Sequence, residues 1–155
     1  MLLMERPKTW GRSRALRIKE FDYSTPGRAY HVVIGSKDRQ RLFVDPELNK
    51  LILNTLRSMA NADHYRLVCA CLMPDHFHVL IVAGEAPKPL SQMVRDVKAL
   101  SSREARIALW QRGFYEHIVR TDEILETIAL YIISNPVRAG LTDRPEDWPW
   151  SIRSW

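Results

Sequence analysis

Two histidines separated by one residue open the hydrophobic run in Met73-Pro74-Asp75-His76-Phe77-His78-Val79-Leu80-Ile81-Val82. A β-strand turns alternate side chains to the same face, so His76 and His78 would stand side by side while Phe77, Val79 and Ile81 load the opposite face into a core. Imidazole is the commonest metal-binding side chain and suits first-row divalent ions. One H-x-H pair supplies only two ligands, however, and strand histidines are often plain hydrogen-bonded neighbours. Spacing alone leaves both readings open.

Cys69 and Cys71, the two cysteines of the chain, fall on one side of a second strand, where alternate positions are poorly placed for a mutual disulfide. They read as buried thiols. A sharper alternative joins them to His76 and His78 as a four-ligand zinc site, although the spacing is not that of an established finger. Two other histidine chemistries are excluded. A histidine-triad nucleotide hydrolase would place a third histidine where Leu80 stands. A zinc deaminase needs H-x-E and a downstream C-x-x-C, and neither is present.

A second pair of interest is Tyr131 and Asn135, four residues apart on a helical pattern and therefore one turn apart on one face. A tyrosine in an apolar stripe is by default a core residue, and an asparagine before Pro136 is by default a cap.

The elements that must position these groups are legible from turn signals and periodicity. Ala29 to Ile34 reads as a strand stopped by Gly35, after the punctuation of Pro26-Gly27. Asp45 and Pro46 are an N-cap and first helical residue for Leu48, Leu51, Ile52, Leu56 and Met59. Tyr65 to Leu72 and His76 to Val82 form a hairpin about Pro74-Asp75. Leu90, Val94, Val97 and Leu100 mark a second helix, and Phe114 to Val119 a fourth strand. Thr121 caps a third helix with Asp122 and Glu123 in its first turn, and Asn135-Pro136 ends it.

At 155 residues with 46% apolar and 26% charged composition, one domain with its own core is expected. The apolar runs are strand-length, not membrane-length, and Met1-Leu2-Leu3-Met4 meets Glu5 before a signal-like core forms, so a cytoplasmic protein is expected. Residues 1 to 41 carry ten Lys or Arg against four acids, a net of +6, whereas the remaining 114 carry 13 against 14. A basic arm on a near-neutral body is the footprint of a nucleic-acid ligand, because phosphate neutralisation supplies most non-specific affinity. Its plain alternative is a solvated tail. Arg12, Arg14, Arg17, Lys19, Arg39 and Arg41 are the candidate phosphate contacts there, and Arg95 and Lys98 on the second helix, by default a solvated basic face, are candidates to extend the track.

Taken together, Met73 to Val82, Gly113 to Arg120 (GFYEHIVR), Tyr131 to Leu141 (YIISNPVRAGL) and Trp148-Pro149-Trp150-Ser151 resemble the HUH single-tyrosine transposases, in particular the branch associated with repetitive extragenic palindromes. Gly27 to Phe43 is similar to that family's opening strand and turn, so the resemblance covers about residues 27 to 151. The chain departs from the family at Leu90 to Trp110, which is shorter than usual, and at Val33-Ile34-Gly35-Ser36, which replaces a more polar turn. The resemblance implies an α+β fold with a ferredoxin-like antiparallel sheet packed with helices, residues 1–26 forming the arm and 27–155 a single catalytic domain. It implies His76 and His78 as ligands of a divalent metal, Mg2+ or Mn2+, Asn135 as a residue completing the metal shell, and Tyr131 as nucleophile. It also implies a homodimer cleaving single-stranded or hairpin DNA through a 5′-phosphotyrosine. The alternative is a non-cleaving nucleic-acid-binding protein of the same fold.

Overall fold

Tyr30, Val32 and Ile34 alternate with His31, Val33 and Gly35 along β1 (Ala29–Gly35), and nearly every one of these residues is buried, because this strand is central and covered on both faces. The computed structural model describes residues 27–60, 63–119 and 125–155. Along the chain follow α1 (Pro46–Met59), β2 (Tyr65–Met73), β3 (His76–Ala83), α2 (Leu90–Ala105), β4 (Tyr115–Ile118), α3 (Leu125–Ile133), α4 (Asn135–Arg138) and β5 (Ser151–Arg153). The sheet order is β4-β1-β3-β2-β5 with every pairing antiparallel. Its first four strands, with α1 and α2 as crossovers, give the ferredoxin-like arrangement expected from the sequence.

The two faces bury different partners. Tyr30, Val32, Ile34, Ala70, Leu72, Phe77, Val79 and Ile81 pack under Ile52, Leu53 and Leu56 of α1 and Leu90, Val94 and Val97 of α2. On the other face Cys69, Cys71, Met73 and Leu80 pack under Ile128, Ala129, Ile132 and Ile133 of α3. The alternation expected for β3 therefore holds, with the histidines on the α3 side.

Helix α1 begins as expected, the Asp45 carboxylate accepting from the Glu47 N–H with Pro46 in the first turn. Three features differ from the sequence reading. Gly35 continues β1 instead of stopping it, and Ser36 bridges to Trp110. A side chain on Gly35 would collide with the Gln111 carboxamide, so glycine admits that amide onto the sheet. The Asn135-Pro136 step does not end the third helical path but breaks it at Ser134, and one more turn follows. The fifth strand, absent from the sequence reading, seals β2. There the Trp148 indole donates to the Leu72 carbonyl at 3.0 Å and the Leu72 N–H to that of Trp150 at 2.9 Å. The expected arm over 1–26, with Arg12, Arg14, Arg17 and Lys19, and the Thr121 cap with Asp122 and Glu123, lie outside the described residues.

Candidate metal centre and nucleophile

The tight turn Pro74-Asp75 sets the entry of β3, and the loop after β1 clamps it. The Ser36 N–H donates to the Asp75 carbonyl at 2.9 Å and the Phe43 N–H to the Pro74 carbonyl at 3.0 Å. Asp75 is thereby held beside His76, whose Nδ1 lies 2.6 Å from Asp75 Oδ1. Arg39 reaches Asp75 Oδ2 at 3.4 Å from the other side. The hydrogen bond from His76, reinforced by Arg39 and opposed by burial, holds the Asp75 carboxyl below its ordinary range. A carboxylate only accepts, so it fixes the proton of a neutral His76 on Nδ1 and turns the Nε2 lone pair toward the next imidazole.

That neighbour is His78, with Nε2 atoms of the two rings 3.0 Å apart and the rings nearly perpendicular at 78°. Behind His78 stands His31, whose Nε2 lies 2.9 Å from His78 Nδ1. His31 is 2% exposed, and burial followed by the neighbouring His117 and His76 pushes its pKa down to about 3, so it is neutral. His76 and His78 are 7% and 5% exposed, so both rings are interior to the fold.

The histidine pair passes a test of fit for a hard divalent ion. Neighbouring ligands of an octahedral cation with bonds of about 2.1 Å stand roughly 3.0 Å apart, the separation the two Nε2 atoms already show. Among the described residues no three His, Cys, Asp or Glu side chains form a metal cage, so the pair offers an open, two-nitrogen seat. Cys71 pairs across the strands with His78, but both thiols are buried under α3. Burial pushes Cys71 up to about 11 and Cys69 to about 12, which keeps both thiols protonated in the metal-free fold, and among the described residues no four-ligand cage joins them to the histidines. At pH 8 the folded protein should therefore leave both thiols unlabelled by a disulfide reagent, two equivalents reacting only on unfolding. Fast labelling of the native chain would restore the zinc alternative.

Tyr131 lies on α3, half-buried against the apolar cluster of the histidine face. The local sequence explains its setting. Pro136 has no N–H to give the Ile132 carbonyl, and the Asn135 side-chain amide donates to it instead at 3.1 Å. The preceding carbonyl, that of Tyr131, accepts from Arg138 at 2.7 Å, and the same guanidinium lies 3.8 Å over the Tyr131 ring. Asn135 and Arg138 thus repair the break that proline makes, and Asn135, anchored through its NH2, keeps its carbonyl oxygen as a hard donor.

Of the basic candidates, Arg41 and Arg95 are exposed, while Arg39 is tied to Asp75. Lys98 donates to the carbonyls of Gln111 and Gly113, so its ammonium braces the segment before β4, and burial pushes its pKa down to about 8. Arg95 and Lys98 share an open groove of about 490 Å³ with Trp110 and Phe114. The sequence reading missed four residues. His31 and His117 are cross-strand partners in β1 and β4, and their meeting required a register that no local signal carries. Arg138 was visible only within the resemblance. Gln111 lies over Gly35, the cross-strand partner of His76, and glycine in a buried strand was the available signal.

The family model described as Transposase IS200 like matches residues 24–135. A Haemophilus influenzae protein named a putative REP-associated tyrosine transposase is 25% identical over 142 residues, covering 82% of this chain and 80% of that one. The Escherichia coli REP-associated tyrosine transposase is 28% identical over 81 residues, covering 52% of this chain and 49% of that one. A solved REP-associated tyrosine transposase bound to a REP hairpin aligns with a TM-score of 0.71 at 19% identity, covering 87% of this chain and 82% of that one. A putative transposase from Deinococcus radiodurans gives 0.53 at 22%, covering 74% and 95%. These two likenesses carry the fold. Among the described residues no helix is long and apolar enough to cross a membrane. The family match includes the histidine strand, Tyr131 and Asn135, and on that extent the chain belongs to the IS200-like transposase family.

Proposed function

We propose that this chain is a metal-dependent strand transferase that cleaves single-stranded DNA beside a hairpin through a covalent link to Tyr131. The observation that carries the reading is the convergence of His76 and His78 Nε2 at 3.0 Å, with a half-buried tyrosine helix packed on the same sheet face. Support for the hairpin comes from the relatives, named REP-associated tyrosine transposases, and from the neighbour bound to a REP hairpin.

His76 and His78 would hold Mg2+ or Mn2+, with the Asn135 carbonyl oxygen as a further donor. When bound, the cation supplies Lewis-acid stabilisation of the charge on the scissile phosphate. Two neutral imidazoles add no negative charge to weaken it. Tyr131 Oη forms the bond to phosphorus as the P–O3′ bond breaks, the phenolic proton passing to solvent and the departing 3′ oxygen gaining one. A 5′-phosphotyrosine and a 3′-hydroxyl result. The link conserves the phosphodiester, so another 3′-hydroxyl reverses the step and joins strands without ATP. Arg138 keeps the Tyr131 ring in one orientation for this attack. The protein acts as a homodimer, which sedimentation equilibrium would read. The deciding experiment is incubation with a labelled hairpin-flanked strand and Mn2+. A covalent protein-DNA adduct supports transfer, whereas tight binding without adduct supports the non-cleaving alternative.

The basic arm contributes affinity, not chemistry, because its excess charge lies outside the histidine strand and the segment that carries Tyr131 and Asn135. Deleting residues 1–20 removes six basic groups against two acidic ones. Single-strand binding should weaken and its dependence on salt flatten, by roughly 0.7 in log-log slope for each phosphate no longer neutralised. An unchanged slope across a salt titration would show that the arm is a solvated tail.

A further inference from the structure

We propose that His31 is a positioning residue for the metal centre: it accepts the His78 Nδ1 proton, and so holds the His78 ring and its Nε2 lone pair in the ligating arrangement. The inference rests on the metal-dependent reading above and extends it to a residue that touches neither cation nor DNA. For a neutral imidazole to ligate through Nε2, its proton must sit on Nδ1 and needs an acceptor. His76 has that acceptor in Asp75 at 2.6 Å. For His78 the atom at Nδ1 is His31 Nε2, 2.9 Å away, with the two rings stacked at 26° and centroids 5.2 Å apart. Each ligand therefore has its own Nδ1 partner, one a carboxylate from the turn and the other an imidazole from the adjacent strand.

A structural role explains His31 poorly. It is a buried polar residue at the middle of a central strand, and its Nδ1 has no hydrogen-bond partner among the described residues. A buried polar atom left unsatisfied is a cost that an aliphatic residue in β1 would avoid. What an aliphatic residue cannot do is accept a proton from His78. In the absence of a cation the relay can also run the other way, His31 donating to His78 and His78 to His76. Cation binding at Nε2 admits only the first direction.

The test uses the full chain and Mn2+ alone, with binding read by calorimetry and folding by thermal unfolding without metal. His31→Leu removes the acceptor and should weaken Mn2+ binding by about 10- to 100-fold, whereas His31→Gln, whose carbonyl can accept, should stay within a few-fold of the parent. In the Mg2+-loaded parent, ¹⁵N spectra should show His78 protonated at Nδ1 with a scalar coupling to His31 Nε2 across the hydrogen bond. This second readout needs no variant and stands if His31→Leu fails to fold. Parent-like Mn2+ affinity in a folded His31→Leu protein, or a loaded parent with no coupling between the His78 Nδ1 proton and His31 Nε2, overturns the role of His31 and leaves the metal reading intact. A parent chain that binds no Mn2+ overturns both.

Discussion

Tyr131→Phe should abolish covalent adduct formation with hairpin-flanked single-stranded DNA while leaving Mn2+ binding, hairpin affinity and thermal stability close to those of the parent. The change removes one oxygen and keeps the ring that packs on the α3 cluster and lies under Arg138. A lost hydroxyl costs about 1 kcal/mol when it served only a hydrogen bond, and in that case activity would persist. As nucleophile it has no substitute. The other described tyrosines are worse placed for attack. Tyr65 donates to the Lys88 carbonyl, and burial followed by Tyr30 and Glu116 raises its pKa. Tyr30 is wholly buried on the opposite face. Tyr115 shares the histidine face but sits on β4, beyond β1, roughly 10 Å from β3 by strand spacing, and burial raises its pKa too. An adduct recovered from the Tyr131→Phe protein and mapped by peptide mass to any of these would refute the assignment.

His76→Gln and His78→Gln should each eliminate Mn2+-dependent cleavage and reduce Mn2+ binding below detection, since an open two-nitrogen seat has no third histidine to share the load. Because both rings are buried and hydrogen-bonded, truncation to alanine is the poorer experiment. His78→Ala would strip His31 of its partner and open a void, costing about 1–3 kcal/mol for the unpaired nitrogen alone. Glutamine preserves volume and polarity. EDTA on the parent separates function from structure: cleavage should stop while the melting temperature holds, because the sheet folds on its apolar clusters without metal. A fall in melting temperature on chelation, of the kind expected when metal binding drives folding, would point to a structural site instead.

Much of this architecture was legible because its signals are local. The H-x-H alternation, the Asp45-Pro46 helix start and the Pro74-Asp75 hairpin each depend on a few adjacent residues, and all three stand as read. What was not legible depends on register. Ala29 to Ile34 reads as a strand whatever it pairs with, so nothing in it announces that His31 meets His78 and His117. The burial of the histidines escaped the same reading, because it is set by what packs over the strand and not by the residues within it. Asn135-Pro136 reads as a stop by proline's ordinary effect. The structure shows the side chains of Asn135 and Arg138 supplying the donors that let the path continue.

The two outermost strands of the described sheet are its shortest, β4 with four residues and β5 with three, while the long strands β1, β2 and β3 lie inside. Unpaired backbone at a sheet margin is where a second chain adds by hydrogen bonding, and brevity is one way to blunt it. Without β5 the nine-residue β2 would be that margin. Among the described residues, ladder pairing between copies is thus limited to margins of three and four residues. Open-ended stacking into fibrils therefore has little template to start from.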